Sequence, residues 1–405
     1  MDNSIVISTP PHVKSRRTTR GIMLDVCIAL LPSAIAGIVF FGWLALMIEL
    51  VAVVSCVATE FVYYFIANKG FSNKCKDAGK VCVRWWKQFD FTSVVTGLIL
   101  ALIVPATTPW YAALIGGIFS IAIVKMLFGG TGKNLVNPAA AGRVFMAISF
   151  AAVSTYTAAN IPALNFESGI FTDSTNLSWL LSAYPETKVT VLDLFLGTGV
   201  AGCIGETCKL AILVGYIYLC VRNVIKWWQP LLFIVVFGFA AVFMSGFGFI
   251  ASGGYIFDIK LFLPHLFSGG VLFGAVFMFP DYVTSPKGVY GQILYYVLAA
   301  VLVAVLRYFT HMEVTSFVIM LMNLFVPLID KYLIRRPFGY VKVKKEKKAK
   351  TPDERVADAV DALKVDENAA AEISHGKDNE NTEKSPAASV QSVNADNVKS
   401  AKEEA

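Results

Sequence analysis

The segment GGTGKNLVNPAAAGR, at positions 129–143, places several hydrogen-bond donors between two apolar runs. Lys133, Asn134, Asn137 and Arg143 are donors of the kind that bind a phosphate group, and the glycines let the backbone approach a ligand closely. GGTGK is not a nucleotide-binding loop, because that motif has another glycine five residues before GK and a Ser or Thr after it. The alternative interpretation is a loop at the inner face of a membrane, where Lys and Arg only fix the orientation.

The composition predicts the class of protein to which this segment belongs. The 405 residues are 56% hydrophobic and 16% charged, with a mean hydropathy of +0.61. A soluble chain of this length would need more polar surface, so we expect an all-α polytopic membrane protein. Apolar runs near the bilayer-spanning length predict about ten transmembrane helices. They cover residues 22–41, 43–66, 91–105, 110–128, 139–154, 206–222, 229–246, 265–280, 289–307 and 313–330. The runs at 91, 139 and 265 are short, which predicts broken or re-entrant helices.

The cations predict the orientation of the chain. Lys and Arg cluster before the first run, between the second and third runs, and after the last one. Such clusters favour the cytoplasmic side, so both termini are expected there, with an outside loop at 154–192. Residues 1–20 form the cytoplasmic N-terminal segment and 21–340 the transmembrane domain. The segment 341–405 lacks aromatic residues and is expected to be a disordered cytoplasmic tail. The net charge of +6 mostly reflects the inner loops and does not indicate nucleic-acid binding.

Two regions of the chain share an order of features. The stretch TSVVTGLILALIVPATTPW continues to KNLVNPAAAG, and LFSGGVLFGAVFMFPDYVTSPKG continues to FVIMLMNLFVPLID. Each has a small-residue start, an apolar run, prolines around a Thr, a second span and an Asn before a Pro. The topology places the two copies in opposite orientations, which predicts inverted repeats with a site near the midplane. The alternative is that the prolines and glycines simply end spans.

Ionisable residues inside apolar runs are costly, and each is a candidate for function. Glu49 and Glu60 are expected on one face of the second span, as a structural pair with a neighbouring Lys or as an ion path. Glu206 and Lys209 are expected to pair with each other at the start of a helix. Asp281 is a candidate cap for the segment that follows it. These residues alone identify no substrate.

Four motifs, in this order, carry a family resemblance: FGGTGKNLVNPAAAGRVF, LDLFLGTGVAGCIGETCKLAILVGYIYL, LFSGGVLFGAVFMFPDYVTSPKGVYGQ, and FVIMLMNLFVPLIDKY followed by IRRPFG. Over about residues 15–340 the chain resembles the family of the D subunit of the Rnf complex. The B subunit of the sodium-pumping NADH:quinone reductase is the related alternative, and the LIDKYLIRRPFG ending favours Rnf.

The resemblance implies a membrane subunit of an ion-translocating ferredoxin:NAD oxidoreductase in the bacterial inner membrane. It implies a flavin cofactor, FMN, and electron transfer that is coupled to the movement of Na⁺ or H⁺. It also implies that the chain is not catalytic without its partner subunits. The implied partners are iron–sulfur and NAD-binding subunits, a second flavin subunit and membrane lipid. No metal site is expected, since the cysteines lack the paired spacing of cluster ligands. The segment 129–143 is implied to lie in the flavin region, with Lys133, Asn134, Asn137 and Arg143 as donors to a phosphate or a flavin edge.

The chain departs from the family at the site of covalent flavin attachment. Family members attach FMN to the Thr of a D-x-x-S/T-G-A-T stretch in the outside loop, and no GAT is present in this loop. The nearest match is TDSTNLSWL, in which Thr175 takes the S/T place and Ser178 the acceptor place; Tyr184 in SAYP is the other candidate acceptor. We therefore expect noncovalent flavin, or none, rather than covalent attachment. A non-redox inverted-repeat transporter and a structural anchor without a cofactor are the remaining alternatives.

Overall fold

The computed structural model describes residues 17–67, 75–150, 153, 191–197, 202–250, 259, 262–310 and 313–333. Within these residues the chain forms helices and no strand, which confirms the predicted all-α fold. Most of segment 1–20, most of loop 154–192 and all of tail 341–405 lie outside the described residues, and so do Thr175, Ser178 and Tyr184.

The first half of the chain contains both full-length and interrupted helices. They are α1 (Thr19–Phe41), α2 (Trp43–Ala67), α3 (Cys75–Gln88), α4 (Thr92–Leu102), α5 (Trp110–Ile118), its π-helical continuation π1 (Phe119–Met126) and α6 (Pro138–Ser149). Each of the first five predicted apolar runs contains a helix. α3 lies between the second and third apolar runs, where the sequence predicts an inner loop and no helix.

The second half also combines long helices with short and interrupted ones. It contains α7 (Val191–Leu196), α8 (Lys209–Val221), α9 (Trp228–Ile250), α10 (Phe262–Phe267), α11 (Val271–Phe273), its continuation π2 (Gly274–Met278), α12 (Val289–Thr310) and α13 (Thr315–Leu333). Across the described residues of both halves, five helices are long and apolar enough to span a membrane. The other apolar runs form shorter or broken helices, so ten full-length spans are not observed.

Corresponding helices of the two halves pack against each other. α1 lies against α8, and α6 lies against α13. The start of α1 meets the end of α8, because Arg17 donates a hydrogen bond to the Asn223 carbonyl (3.1 Å) and Arg222 forms an ion pair with Asp25 (3.2 Å). α1 and α8 are therefore antiparallel, as expected for inverted repeats.

α4 stops partway through the fold, and a second segment satisfies its free end. After Leu102, the Leu102 carbonyl accepts from the Gly205 amide (2.8 Å) and the Val104 carbonyl accepts from the Ile204 amide (3.1 Å). Irregular backbone at membrane depth is tolerated where other protein groups supply such hydrogen bonds. The loop before α8 thus completes the broken end of α4.

Candidate functional site

A cleft with a volume of about 110 Å³ opens where the two halves meet. Its apolar wall comes from α1, α4 and π2, and includes Met23, Val26, Val95, Ile99 and Phe277. Its polar groups come from the start of α4, from π1 and from the loops that follow π1 and π2. The polar lining residues are Thr92, Thr96, Lys125, Thr131, Asn134, Asn137 and Asp281.

The glycine-rich loop forms one edge of this cleft. Gly129, Gly130 and Gly132 have φ angles of 106°, 88° and 85°, which favour glycine over any other residue. A Cβ on Gly129 would lie 2.9 Å from Cδ of Lys133, so the Lys133 side chain packs over that glycine. Lys133 is exposed and does not line the cleft. Asn134 does line it, and its amide donates to the Val136 carbonyl (3.4 Å).

Asn137 holds the two halves together at the edge of the cleft. Its Oδ1 caps α6 by accepting from the amides of Ala139 (3.0 Å) and Ala140 (3.3 Å), and Pro138 fills the first helical position. Its Nδ2 donates to the Met278 carbonyl at the end of π2 (3.5 Å). The side chain is buried and engaged in these bonds, so its primary role is to position α6 and π2.

Arg143 lies away from the cleft. It is buried on α6, and its Nε donates to the Ile103 carbonyl (2.8 Å), just beyond the end of α4. The structure therefore brings Asn134 and Asn137 together at the cleft and places Arg143 near the opposite end of α4. Lys133 is beside the cleft but turned over Gly129.

Among the polar side chains that line the cleft, Lys125 makes three side-chain hydrogen bonds, although it was not predicted as a site residue. Lys125 is 2% exposed, and its Nζ donates to Glu60 Oε1 (3.1 Å), Thr92 Oγ1 (2.5 Å) and Ser93 Oγ (3.1 Å). Ser93 also donates to Glu60 Oε2. A Lys within the apolar run IAIVKMLF was the sequence signal for a functional residue.

The network continues from the buried carboxylate to the glycine-rich loop. Thr92 Oγ1 donates to Asp90 Oδ1 (2.6 Å) and lies 3.3 Å from Thr131 Oγ1. Glu60 is 9% exposed on α2 and is the partner that balances the charge of Lys125. A buried ion pair of this kind is held by geometry and hydrogen bonds, and loss of either partner leaves an uncompensated charge. Lys125 thus contacts Glu60 and also lines the cleft.

Two other candidate groups have simpler places in the structure. Asp281 closes a turn after π2, where it accepts from the Val283 amide (3.3 Å) and from Thr284 Oγ1 (2.9 Å). Glu49 is buried on α2, and its Oε1 has no hydrogen-bond partner. Lys209 does not pair with the Glu206 carboxylate as expected, since its Nζ donates to the Glu206 backbone carbonyl.

The cleft has a polar edge beside its apolar wall. Three threonine hydroxyls, two asparagine amides and the Lys125 ammonium line that edge, and a flavin ring system likewise joins an apolar face to a polar edge. Pockets that enclose ligands of this size usually measure roughly 300–1,000 Å³. At about 110 Å³ the cleft is smaller than this range, so a flavin would fit only if the cleft widened. Its exposed border lies at Thr131 and Gly132.

Comparison with known proteins identifies the family of the chain. A family model described as the NQR2, RnfD, RnfE family matches residues 6–339. The D subunit of a Na⁺-translocating ferredoxin:NAD⁺ oxidoreductase complex from Acetobacterium woodii is 36% identical over 349 residues, which cover 85% of this chain and 99% of the relative. The D subunit of a proton-translocating ferredoxin:NAD⁺ oxidoreductase complex from Clostridium ljungdahlii is 31% identical over 343 residues, covering 83% and 97%. The D subunit of an ion-translocating oxidoreductase complex from Stutzerimonas stutzeri is 31% identical over 352 residues, covering 80% and 93%.

Proposed function

The chain belongs to the NQR2, RnfD, RnfE family, and on this premise we propose that it is the D-type membrane subunit of an Rnf-type ferredoxin:NAD oxidoreductase. It binds flavin noncovalently in the cleft and couples electron flow to Na⁺ or H⁺ translocation. It is not catalytic alone, because its partners carry the iron–sulfur clusters and the NAD site. The names of relatives that match at nearly full length support this role.

The observation that carries the proposal is the position of Lys125. Its side chain lines the cleft and also donates to Glu60, so one cation faces both the ligand site and a buried carboxylate. A flavin bound in the cleft supplies reversible electron transfer. Negative charge added there attracts the Lys125 ammonium and weakens its ion pair with Glu60. The Glu60 carboxylate is then free to take up a cation, which links electron arrival to ion movement.

The same proposal assigns the environment of the chain. We propose that the protein lies in the bacterial inner membrane and crosses it several times, and the clusters of Lys and Arg support a cytoplasmic position for both termini. Lys125, Thr131 and Asn134 then lie near the cytoplasmic side, where soluble or peripheral electron-transfer partners can reach the cleft. The missing GAT motif favours noncovalent binding over attachment to Ser178 or Thr175.

A B-type subunit of a sodium-pumping quinone reductase is the second candidate, because the matching family model includes both groups. A non-redox transporter is the third, and the broken helix α4 with its adjoining cleft favours it over a structural anchor. Flavin content separates the transporter from the two redox candidates. The electron acceptor of the assembled complex, NAD or quinone, separates the redox candidates from each other.

The test is a cavity-filling substitution with a matched control. Val95 is 9% exposed and lines the cleft, whereas Val39 on α1 is 65% exposed. Native complex containing wild-type chain, Val95→Trp or Val39→Trp is extracted without denaturant, and the flavin released from the isolated subunit is quantified. We expect flavin in wild type and Val39→Trp and its loss in Val95→Trp. Equal flavin in both variants would place the cofactor elsewhere, and a flavin-free wild type would favour the transporter.

A further inference from the structure

A second group of buried charges lies in the other half of the fold, around Gly269 and Gly270. A Cβ on Gly269 would collide with Glu313 Oε2, and a Cβ on Gly270 would collide with Glu206 Oε1. Glycine at both positions therefore allows two carboxylates to approach the same backbone segment. Arg307 also lies beside Gly269, because a Cβ added to Gly269 would be 3.0 Å from Nη2 of Arg307.

The cations of this group are bound to backbone carbonyls. Lys209 Nζ donates to the Gly269 carbonyl (3.2 Å) and to that of Glu206. Arg307 Nη1 donates to the His265 carbonyl (3.2 Å). Arg307 Nη2 donates to the Ser268 carbonyl (2.9 Å) and to Ser268 Oγ (2.7 Å). The carbonyl oxygens exposed by the break before α11 are thereby occupied by N–H donors.

The carboxylates keep acceptor capacity. Glu313 Oε1 accepts from the Thr315 amide (3.4 Å) and from its hydroxyl, whereas Glu313 Oε2 is buried and has no hydrogen-bond partner. His265 Nε2 is also without a partner, and that residue is 9% exposed. A buried carboxylate oxygen without a donor is costly when ionised. These groups therefore favour the uptake of a positively charged species.

The group lies at the far end of α4 from the cleft. Thr92, at the start of α4, lines the cleft. Leu102, at the end of α4, packs against Gly205, because a Cβ added to Gly205 would lie 2.5 Å from Cβ of Leu102. Ten residues of helix rise about 15 Å, which is about half of the ~30 Å hydrocarbon core. Glu206 follows Gly205 directly, so the two buried carboxylate sites, Glu60 and Glu206, stand at opposite ends of one half-spanning helix.

We propose that Glu206 and Glu313 share a proton-binding site at the end of α4 that faces away from the cleft, and that a proton leaves the α4 segment of the translocation path through this site, which we call the outlet. This inference rests on the function proposed above. A proton fits better than a metal cation, because the nearby carbonyls that would coordinate a metal are already bound by Lys209 and Arg307. The site takes one proton onto a carboxylate oxygen and releases it unchanged, so no electron or co-reactant is required.

Other ionisable groups face the proposed site from every element around it. They are Cys203 in the loop before α8, Cys208 and Lys209 at the start of α8, Arg143 on α6, His265 on α10 and Arg307 on α12. Three of these residues, Lys209, Arg143 and Arg307, are cations, and they keep the site from accumulating a large negative charge. Protonation of one carboxylate raises the net charge of the site by one unit.

Infrared difference spectroscopy of the intact complex tests the site without relying on turnover. We expect a pH-dependent carboxyl C=O band in wild type that shifts in D₂O, is lost in Glu206→Gln or Glu313→Gln, and persists in Asp25→Asn, a carboxylate control near the opposite end of α8. If a Gln variant does not assemble, isotope-labelled Glu in the wild-type complex assigns the band to glutamate, and Glu206→Asp and Glu313→Asp assign it to the site by shifting the band. Absence of any pH-dependent Glu band overturns the proposal, and so does a band that responds to Na⁺ at constant pH.

The companion measurement separates this proposal from the proposed function. In complex reconstituted into liposomes, Glu206→Gln is expected to keep its flavin while proton movement per electron falls by at least about fivefold. If Glu206→Gln moves as many protons per electron as wild type, the proposal that protons leave through this site is overturned. A wild-type chain without flavin contradicts the proposed function instead, and it leaves the infrared result to decide whether the proton site exists.

Discussion

Nζ of Lys125 lies 3.1 Å from Oε1 of Glu60, and both side chains are buried where α2, α4 and π1 meet beside the cleft. The pair is bridged by Ser93, which contacts both residues. Lys125 also lines the cleft, so the pair joins the cleft to a buried carboxylate on α2.

Removal of the Lys125 charge is expected to destabilise the protein more than removal of both charges. Lys125→Met leaves the Glu60 carboxylate buried and unpaired, which costs about 3–5 kcal/mol in comparable cases. The double variant Lys125→Met/Glu60→Gln should regain most of that free energy of unfolding. Thermal unfolding of the detergent-purified chain, measured as a double-mutant cycle, checks this. Additive effects of the two substitutions would show that the pair is not coupled.

Asn137 should act through capping rather than through a ligand. Asn137→Ala removes the cap of α6 and the bond to the Met278 carbonyl, and loss of an N-cap alone costs about 1 kcal/mol. Asn137→Asp keeps the capping oxygen and should recover part of that stability. Thermal unfolding of both variants gives the comparison. If Asn137→Ala unfolds like wild type but releases flavin, the side chain is a ligand contact instead.

Replacement of Arg143 is expected to leave flavin binding unchanged. Its Nε bonds the Ile103 carbonyl beyond the end of α4, and Arg143→Met should therefore destabilise that break by about 1–3 kcal/mol, the usual cost of an unsatisfied buried group. Flavin content measured after native extraction should match wild type. A folded Arg143→Met protein that lacks flavin would restore Arg143 to the cofactor site.

Covalent flavin is not expected on the outside loop. In-gel fluorescence of the denatured chain, co-expressed with a flavin transferase, should show no band for wild type, Ser178→Ala or Thr175→Ala. Because the GAT acceptor is absent, the transferase has no matching motif to recognise. A fluorescent wild-type band that disappears in Ser178→Ala would establish covalent attachment and add a second flavin position to the chain.

The sequence predicted those features that depend on local patterning. Hydrophobic run lengths located the long helices, and Gly and Pro marked the breaks at α4 and α11. The amphipathic α3 was missed, because its polar residues resemble those of a charged loop. Lys125, Thr92 and Ser93 were missed as a network because they come together only through the packing of α4 against π1, between residues more than thirty positions apart. Arg143 was grouped with Asn137 by proximity in sequence, although the length of α6 carries it toward the opposite end of α4.

In the proposed function, Lys125 couples the arrival of an electron in the cleft to the movement of a cation. The most direct measurement is the number of cations moved per electron by the complex in liposomes, driven by reduced ferredoxin with NAD as acceptor, for wild type and Lys125→Met. We predict that Lys125→Met, compared at equal flavin content and equal assembly, keeps electron transfer while the cation-to-electron ratio falls by at least about fivefold. An unchanged ratio in a flavin-loaded Lys125→Met complex would contradict the account.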